Sequence, residues 1–114
     1  PADIQKDRMG SLKALCQKYN CVVVLKGHET LIGFNEQISL CKRGSPAMAV
    51  AGMGDLLAGL MGGFIAQNLT PFKAAELAVW LHAKAGEAWA HKNGVRGLLT
   101  HELAPLIRKE LNNI

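Results

Sequence analysis

Aromatic residues are scarce: three Phe, two Trp and one Tyr make up 5% of the 114 residues. A core with so few rings must be built from Ala, Leu, Val and Met, and small side chains of that kind suit close packing in a layered α/β protein. Cysteine is scarce too. Cys16, Cys21 and Cys41 form no CxxC pair, and an odd count outside any metal spacing fits reduced thiols in a cytosolic protein. No run of like charges occurs. The net charge of +4 comes from scattered cations, which gives no sign of a nucleic-acid tail. The first residues lack the basic, apolar and small-residue order of a secretory leader. No internal repeat appears, and no linker is long enough to divide domains. What remains is 49% apolar content, enough for the core of one domain or of part of one.

Hydrophobic patterning divides the chain into elements. Asp3 to Tyr19 predicts a helix, with Ile4, Met9, Leu12, Leu15 and Cys16 as an irregular apolar stripe. Asn20 is its expected stop. CVVVL, from Cys21 to Leu25, is an unbroken apolar run and predicts a central strand covered on both faces. KGHE follows as a turn, then TLIGF as a second strand, NEQ as a polar turn, and Ile38 to Lys42 as a third strand. Their close spacing predicts a hairpin. A helix is expected from Gly52 to Gln67. Thr70-Pro71 supplies a capping hydroxyl and a proline at the first helical position, opening a helix to about Lys92 that Asn93-Gly94 ends. Thr100 is expected to cap a last helix carrying Leu103, Leu106, Ile107 and Leu111 on one face. The order is helix, three strands, three helices.

The stretch SPAMAVAGMGDLLAGLMGGFIAQ, Ser45 to Gln67, holds a single charge, Asp55. Three readings compete for it. A membrane span would bury Asp55 near mid-bilayer at a cost of about 2.5–3.5 kcal/mol, and its glycines weaken the apolar signal. A structural reading makes Asp55 a helix cap that complements the helix dipole. On that reading Gly59, Gly63 and the Gly54-Ala58-Gly62 series let the helix approach the sheet closely. A functional reading notes that AGMGD sets glycines at a helix N-terminus, where free N–H groups form an anion site. A carboxylate there would repel a phosphate unless it has work to do. Asp55 could take the proton of a hydroxyl attacking phosphorus, while backbone donors stabilise the transferring group. Physics alone leaves the last two level, and a bare GxGD is weakly specific.

The surrounding residues carry a resemblance. The run GMGDLLAGLMGGFIAQNLTPFKAAELAVWLHAKAGE, with VVVLKGHETLI and GSPAMA before it and GVRGLLTHEL after it, resembles ADP/ATP-dependent NAD(P)H-hydrate dehydratase of the ribokinase-like superfamily. The resemblance implies a layered α/β fold, of which residues 1–114 are the C-terminal part of a single domain about twice as long. It implies repair of hydrated NADH or NADPH, the S-epimer, at the expense of ADP or ATP with Mg2+. The hydroxyl of the hydrate is phosphorylated and phosphate then leaves. Asp55 matches the catalytic, substrate-contacting acid. Gly52, Met53 and Gly54 match the anion hole, and Gly54 also lies at the nucleotide. Lys26, Gly27, His28, Glu29 and Thr30 match the nucleotide-binding segment. A loop leaving a strand end is where α/β sheets bind ligands. No resident metal, nucleic acid or membrane is expected, whereas a cytoplasmic homo-oligomer is. His28-Glu29, Lys42 or Arg43, and Val50 stand where the family often has other residues. Two rival readings are a vitamin-precursor kinase of the same superfamily and a non-catalytic nucleotide-binding module.

Other conspicuous residues receive plainer readings. His82 lines up with Ala75, Val79 and Gly86 and predicts a packing histidine. His91 and His101 have no partners at metal spacing. Trp80 and Trp89 are packing anchors, since no basic groove surrounds them. Arg96 could reach a phosphate or simply charge a surface turn, and Cys41 is a buried strand residue.

Overall fold

The computed structural model describes residues 7–114. Helix α1 spans Arg8–Tyr19, capped by the Asp7 carboxylate, which accepts from the Gly10 N–H at 3.2 Å. Asn20 ends it in the left-handed conformation, at φ 49°. The expected beginning at Asp3, with Ile4, lies outside the described residues. Leu12 and Cys16, one turn apart, form the buried seam, while Met9 faces solvent.

Strands β1 (Val23–Leu25), β2 (Thr30–Phe34) and β3 (Gln37–Cys41) form an antiparallel sheet in sequence order. The hairpin pairs Phe34 with Gln37 and Thr30 with Cys41. Alternation along β2 sends Leu31 toward α1, with Leu12 and Cys16, and Ile32 toward the main core on the other face. Gly33 lies on the α1 side. A Cβ there would meet Leu12 Cδ2 at 2.9 Å and Cys16 Sγ at 3.1 Å, so glycine is what lets helix and strand approach.

The sheet is covered on both faces, as CVVVL suggested, but that run is not its centre. Among the described residues β1 is an edge strand, half-buried along its length, and β2 is central. An apolar β-branched run reports packing on two faces. It does not report how many neighbours the strand has.

Helix α2 spans Met53–Ala66, α3 Pro71–Asn93 and α4 Leu103–Leu111. Thr70 and Pro71 open α3 as expected, and Gly94 closes it at φ 87°. Through Ala74, Ala78, Leu81, Ala85 and Trp89, α3 forms the spine of the main core, packing against α2, α4 and the sheet. Among the described residues no helix is long and apolar enough to cross a membrane.

Four expectations are corrected. The α2 N-cap is Gly52, at φ 90°, and Asp55 sits inside the first turn, so Asp55 is not the cap. Gly59, Gly62 and Gly63 face open space rather than the sheet, while Met53, Leu57 and Phe64 make the buried face. Aliphatic burial decides which side of the helix turns inward, and the small residues are left outside. Thr100 starts a 3-10 turn instead of capping α4; its hydroxyl donates to the Ala51 carbonyl at 2.5 Å. Cys41 is half-buried rather than buried, because β3 is the other edge of the sheet.

Candidate functional site

Three loops meet at the N-terminus of α2, and each is tied down. Arg8 at the start of α1 donates to the Leu25 carbonyl at 3.1 Å, fixing the strand end from which Lys26 to Glu29 depart. Glu87 on α3 holds the segment after β3, accepting from the Gly44 N–H at 3.1 Å and from Arg43 at 3.4 Å. Ser45 then turns the chain by accepting from the Ala47 N–H at 3.2 Å. The Thr100 bond to Ala51 fixes the approach to Gly52, whose Cβ position lies 3.2 Å from Thr100 Oγ1. A side chain at Gly52 would be crowded as well as strained by the positive φ.

Between these loops and α3 lies a cavity of about 420 Å³. Lys26, Gly27, His28 and Thr30 line it, joined by Arg43, Ser45, Met53 and His82. Among the described residues every ionisable side chain in that wall is basic, and no carboxylate lines it. Gly52 offers no side-chain cap, so nothing local satisfies the first N–H groups of α2. The Lys26 ammonium covers that helix end, lying 2.7 Å from where a Gly54 Cβ would stand. The concavity thus combines helix-end donors, an ammonium and a guanidinium, a combination suited to a polyanion such as a phosphate chain.

The nominated residues do not all converge. Lys26, Gly27, His28, Thr30 and Met53 share the cavity wall, and Gly54 lies under Lys26. Glu29 does not line the cavity. Asp55 opens on a second hollow of about 440 Å³, beside Gly59, Leu60, Ala104, Ile107 and Arg108, between α2 and α4. Its carboxylate is exposed and makes no hydrogen bond or ion pair among the described residues. Gly54 therefore separates a cationic side of the helix end from a side carrying one free carboxylate. Arg96 lies exposed in the loop after α3 and lines neither hollow. Among the described residues no three His, Cys, Asp or Glu side chains are grouped to hold a metal.

His82 is the residue that sequence reasoning placed elsewhere. It is buried, as a packing residue would be, yet it forms part of the cavity wall. Burial first and the positive charge of Lys26 second hold its pKa below the ordinary 6.5, and a backbone hydrogen bond with Met53 acts in the other direction. The sequence signal was its alignment with Val79, which also lines the cavity. Lys26 is too distant in sequence for the pairing to have been visible. Trp80, half-buried, receives Lys84 at 4.6 Å and Arg43 at 5.9 Å from its ring, so cations do gather around it.

A helix-covered sheet with a cationic cavity at a glycine-rich helix end makes this an α/β protein, and its likeness to solved NAD(P)H-hydrate dehydratase structures places it in the ribokinase-like class. Residues 1–109 match the family model described as NAD(P)H-hydrate dehydratase, and the chain belongs to that family. The bifunctional NAD(P)H-hydrate repair enzyme Nnr of Vibrio cholerae is 41% identical over 96% of this chain and 22% of its own length. The ADP-dependent (S)-NAD(P)H-hydrate dehydratase of Neisseria meningitidis is 36% identical over 99% of this chain and 39% of its own length. Among solved structures, ADP/ATP-dependent NAD(P)H-hydrate dehydratase from Bacillus subtilis, co-crystallised with ATP/Mg2+, superposes with a TM-score of 0.90. It is 32% identical, and the match covers 96% of this chain and 40% of that one. The chain spans between about a fifth and two fifths of the length of these relatives.

Proposed function

We propose that the protein carrying this chain returns the S-epimer of NAD(P)H hydrate to NAD(P)H at the expense of ADP or ATP, and that this chain supplies the phosphoryl-transfer end of the site. The observation that carries the proposal is the division of one helix end. On one side Lys26, His28, Thr30 and the uncapped α2 N-terminus suit the nucleotide phosphates. On the other, Asp55 offers a carboxylate with no hydrogen-bond or ion-pair partner among the described residues. Family membership and the co-crystallisation of the similar Bacillus subtilis enzyme with ATP/Mg2+ support it.

The chemistry balances as follows. Asp55 takes the proton of the hydrate hydroxyl as its oxygen attacks the terminal phosphorus. The P–O bond to the leaving nucleotide breaks, giving AMP from ADP or ADP from ATP. The N–H groups of Gly52, Met53 and Gly54 and the Lys26 ammonium stabilise the charge on the transferring group. Mg2+ enters with the nucleotide as the counterion of its phosphates. The phosphate ester then eliminates inorganic phosphate and a proton, restoring the ring double bond. A cytoplasmic homo-oligomer is the setting we propose.

The test mixes the protein with hydrated NADH, ADP or ATP and Mg2+, and follows recovery of the reduced nicotinamide absorbance. Asp55→Asn should bind nucleotide nearly as well but turn over about 10²–10⁴ times more slowly, the usual range for loss of a general base. Turnover within a few-fold of wild type would remove Asp55 from that role. A stable phosphate ester in place of recovered NADH would make the protein a kinase.

A further inference from the structure

Among the described residues, one buried side-chain nitrogen has no hydrogen-bond partner: His82 Nε2. The residue is only 9% exposed. Burying such an atom unpaired costs about 1–3 kcal/mol, and in a folded protein it marks the place of a water or ligand. A histidine kept only for packing would be better replaced by leucine. His82 instead faces the cavity with Val79 and Ala83 from α3, in a wall it shares with Lys26 and Thr30.

The ammonium of Lys26 links this ring to the helix end. It acts on His82 electrostatically and covers Gly54 at the start of α2. His28 adds a further basic group, and Arg43 another whose charge is partly offset by its ion pair with Glu87. Among the described residues no acid lines the wall itself, so an anion entering it meets only basic ionisable side chains. We propose that His82 is a further arm of the nucleotide site, its Nε2–H donating to a phosphate oxygen that Lys26 and the Gly54 N–H also hold. This rests on the placement of the nucleotide in this cavity. It adds a side chain from the middle of α3 to a site otherwise made of loops and a helix end. Because α3 is the spine of the core, His82 is anchored by packing and fixes where the phosphate sits.

The test is calorimetric titration of ADP with Mg2+ into the protein and three variants. His82→Leu should keep or raise the melting temperature, since an unpaired polar group is removed, and weaken ADP binding about 10- to 100-fold. His82→Gln, whose amide can take the place of Nε2–H, should recover most of that affinity. Lys26→Ala should weaken ADP in its own right. Unchanged affinity in His82→Leu with a loss in Lys26→Ala overturns the role of His82 and leaves the nucleotide in the cavity. Unchanged affinity in both removes the nucleotide from the cavity and the proposed function with it. Wild-type imidazole 15N signals give an answer that does not depend on the variants folding. ADP must shift the His82 Nε2 resonance, and an unmoved resonance at saturation overturns the proposal.

Discussion

Gly54 sits between two chemistries. On one side of the α2 terminus lies Lys26 and the cationic cavity, and on the other lies Asp55 in its own hollow. A carboxylate can occupy a phosphate site only if it faces away from the bound charge and toward the group that loses a proton. The first turn of α2 provides that separation, because consecutive helical residues point about 100° apart. Glycine at position 54 keeps the divide thin. Gly54→Val would push the Lys26 ammonium, 2.7 Å from the Cβ position, off the helix end. A lysine tip moves cheaply, and valine is a better helix former than glycine by a few tenths of a kcal/mol, so the fold should survive. ADP affinity should fall about tenfold or more, as one charge-assisted contact is lost. Unchanged affinity by calorimetry in the folded variant would exclude an anion site at this helix end.

Among the elements, α1 packs closely against β2. Leu12 is fully buried and Cys16 nearly so, and both press on the strand at Gly33. Gly33→Val would add a branched side chain where three atoms already stand within 3.1 Å of the Cβ position. Overpacking of this kind costs about 1–3 kcal/mol, more than the gain in strand propensity, which is below about 1 kcal/mol. The midpoint of urea unfolding should therefore drop, and a midpoint equal to wild type would show that α1 can shift away freely. The same contact bears on the site, because Arg8 of α1 holds the Leu25 carbonyl just before Lys26. Lifting α1 would loosen the Lys26 loop as well as the core.

At the scale of the whole molecule, the described residues form a slab 39 × 37 × 21 Å across. Two features leave it incomplete as a surface. Strand β1 has a free edge among the described residues, and α2 turns Ala58, Gly59, Gly62, Gly63 and Ile65 toward solvent. Unpaired strand edges and exposed apolar helix faces favour association. The 114-residue chain alone should therefore elute from size-exclusion chromatography as a species larger than a monomer, or aggregate. With hydrated NADH, ADP or ATP and Mg2+ it should not restore NADH, because it spans only about two fifths of the length of the dehydratases it matches. A monodisperse monomer with robust turnover would overturn both expectations.

Local chemistry wrote the element borders into the sequence. Thr70-Pro71 could only open a helix, Asn93-Gly94 could only close one, and Asn20 and Gly52 stand at turns whose positive φ suits them. GMGD likewise marked a helix end without a side-chain cap, since free N–H groups and small residues are properties of the segment itself. Only tertiary structure decided the rest. The edge position of β1 depends on its pairing, which a run of β-branched residues does not encode. The bond from Thr100 to Ala51 and the meeting of His82 with Lys26 join segments some fifty residues apart in sequence. Which side of Gly54 each charge faces depends on where α3 and α4 dock against α2. Patterns along a chain carry the conformations of neighbours. Contacts between distant segments arise when burial of Leu57, Leu81 and Leu103 in one core brings those helices together, and the site is made by that packing.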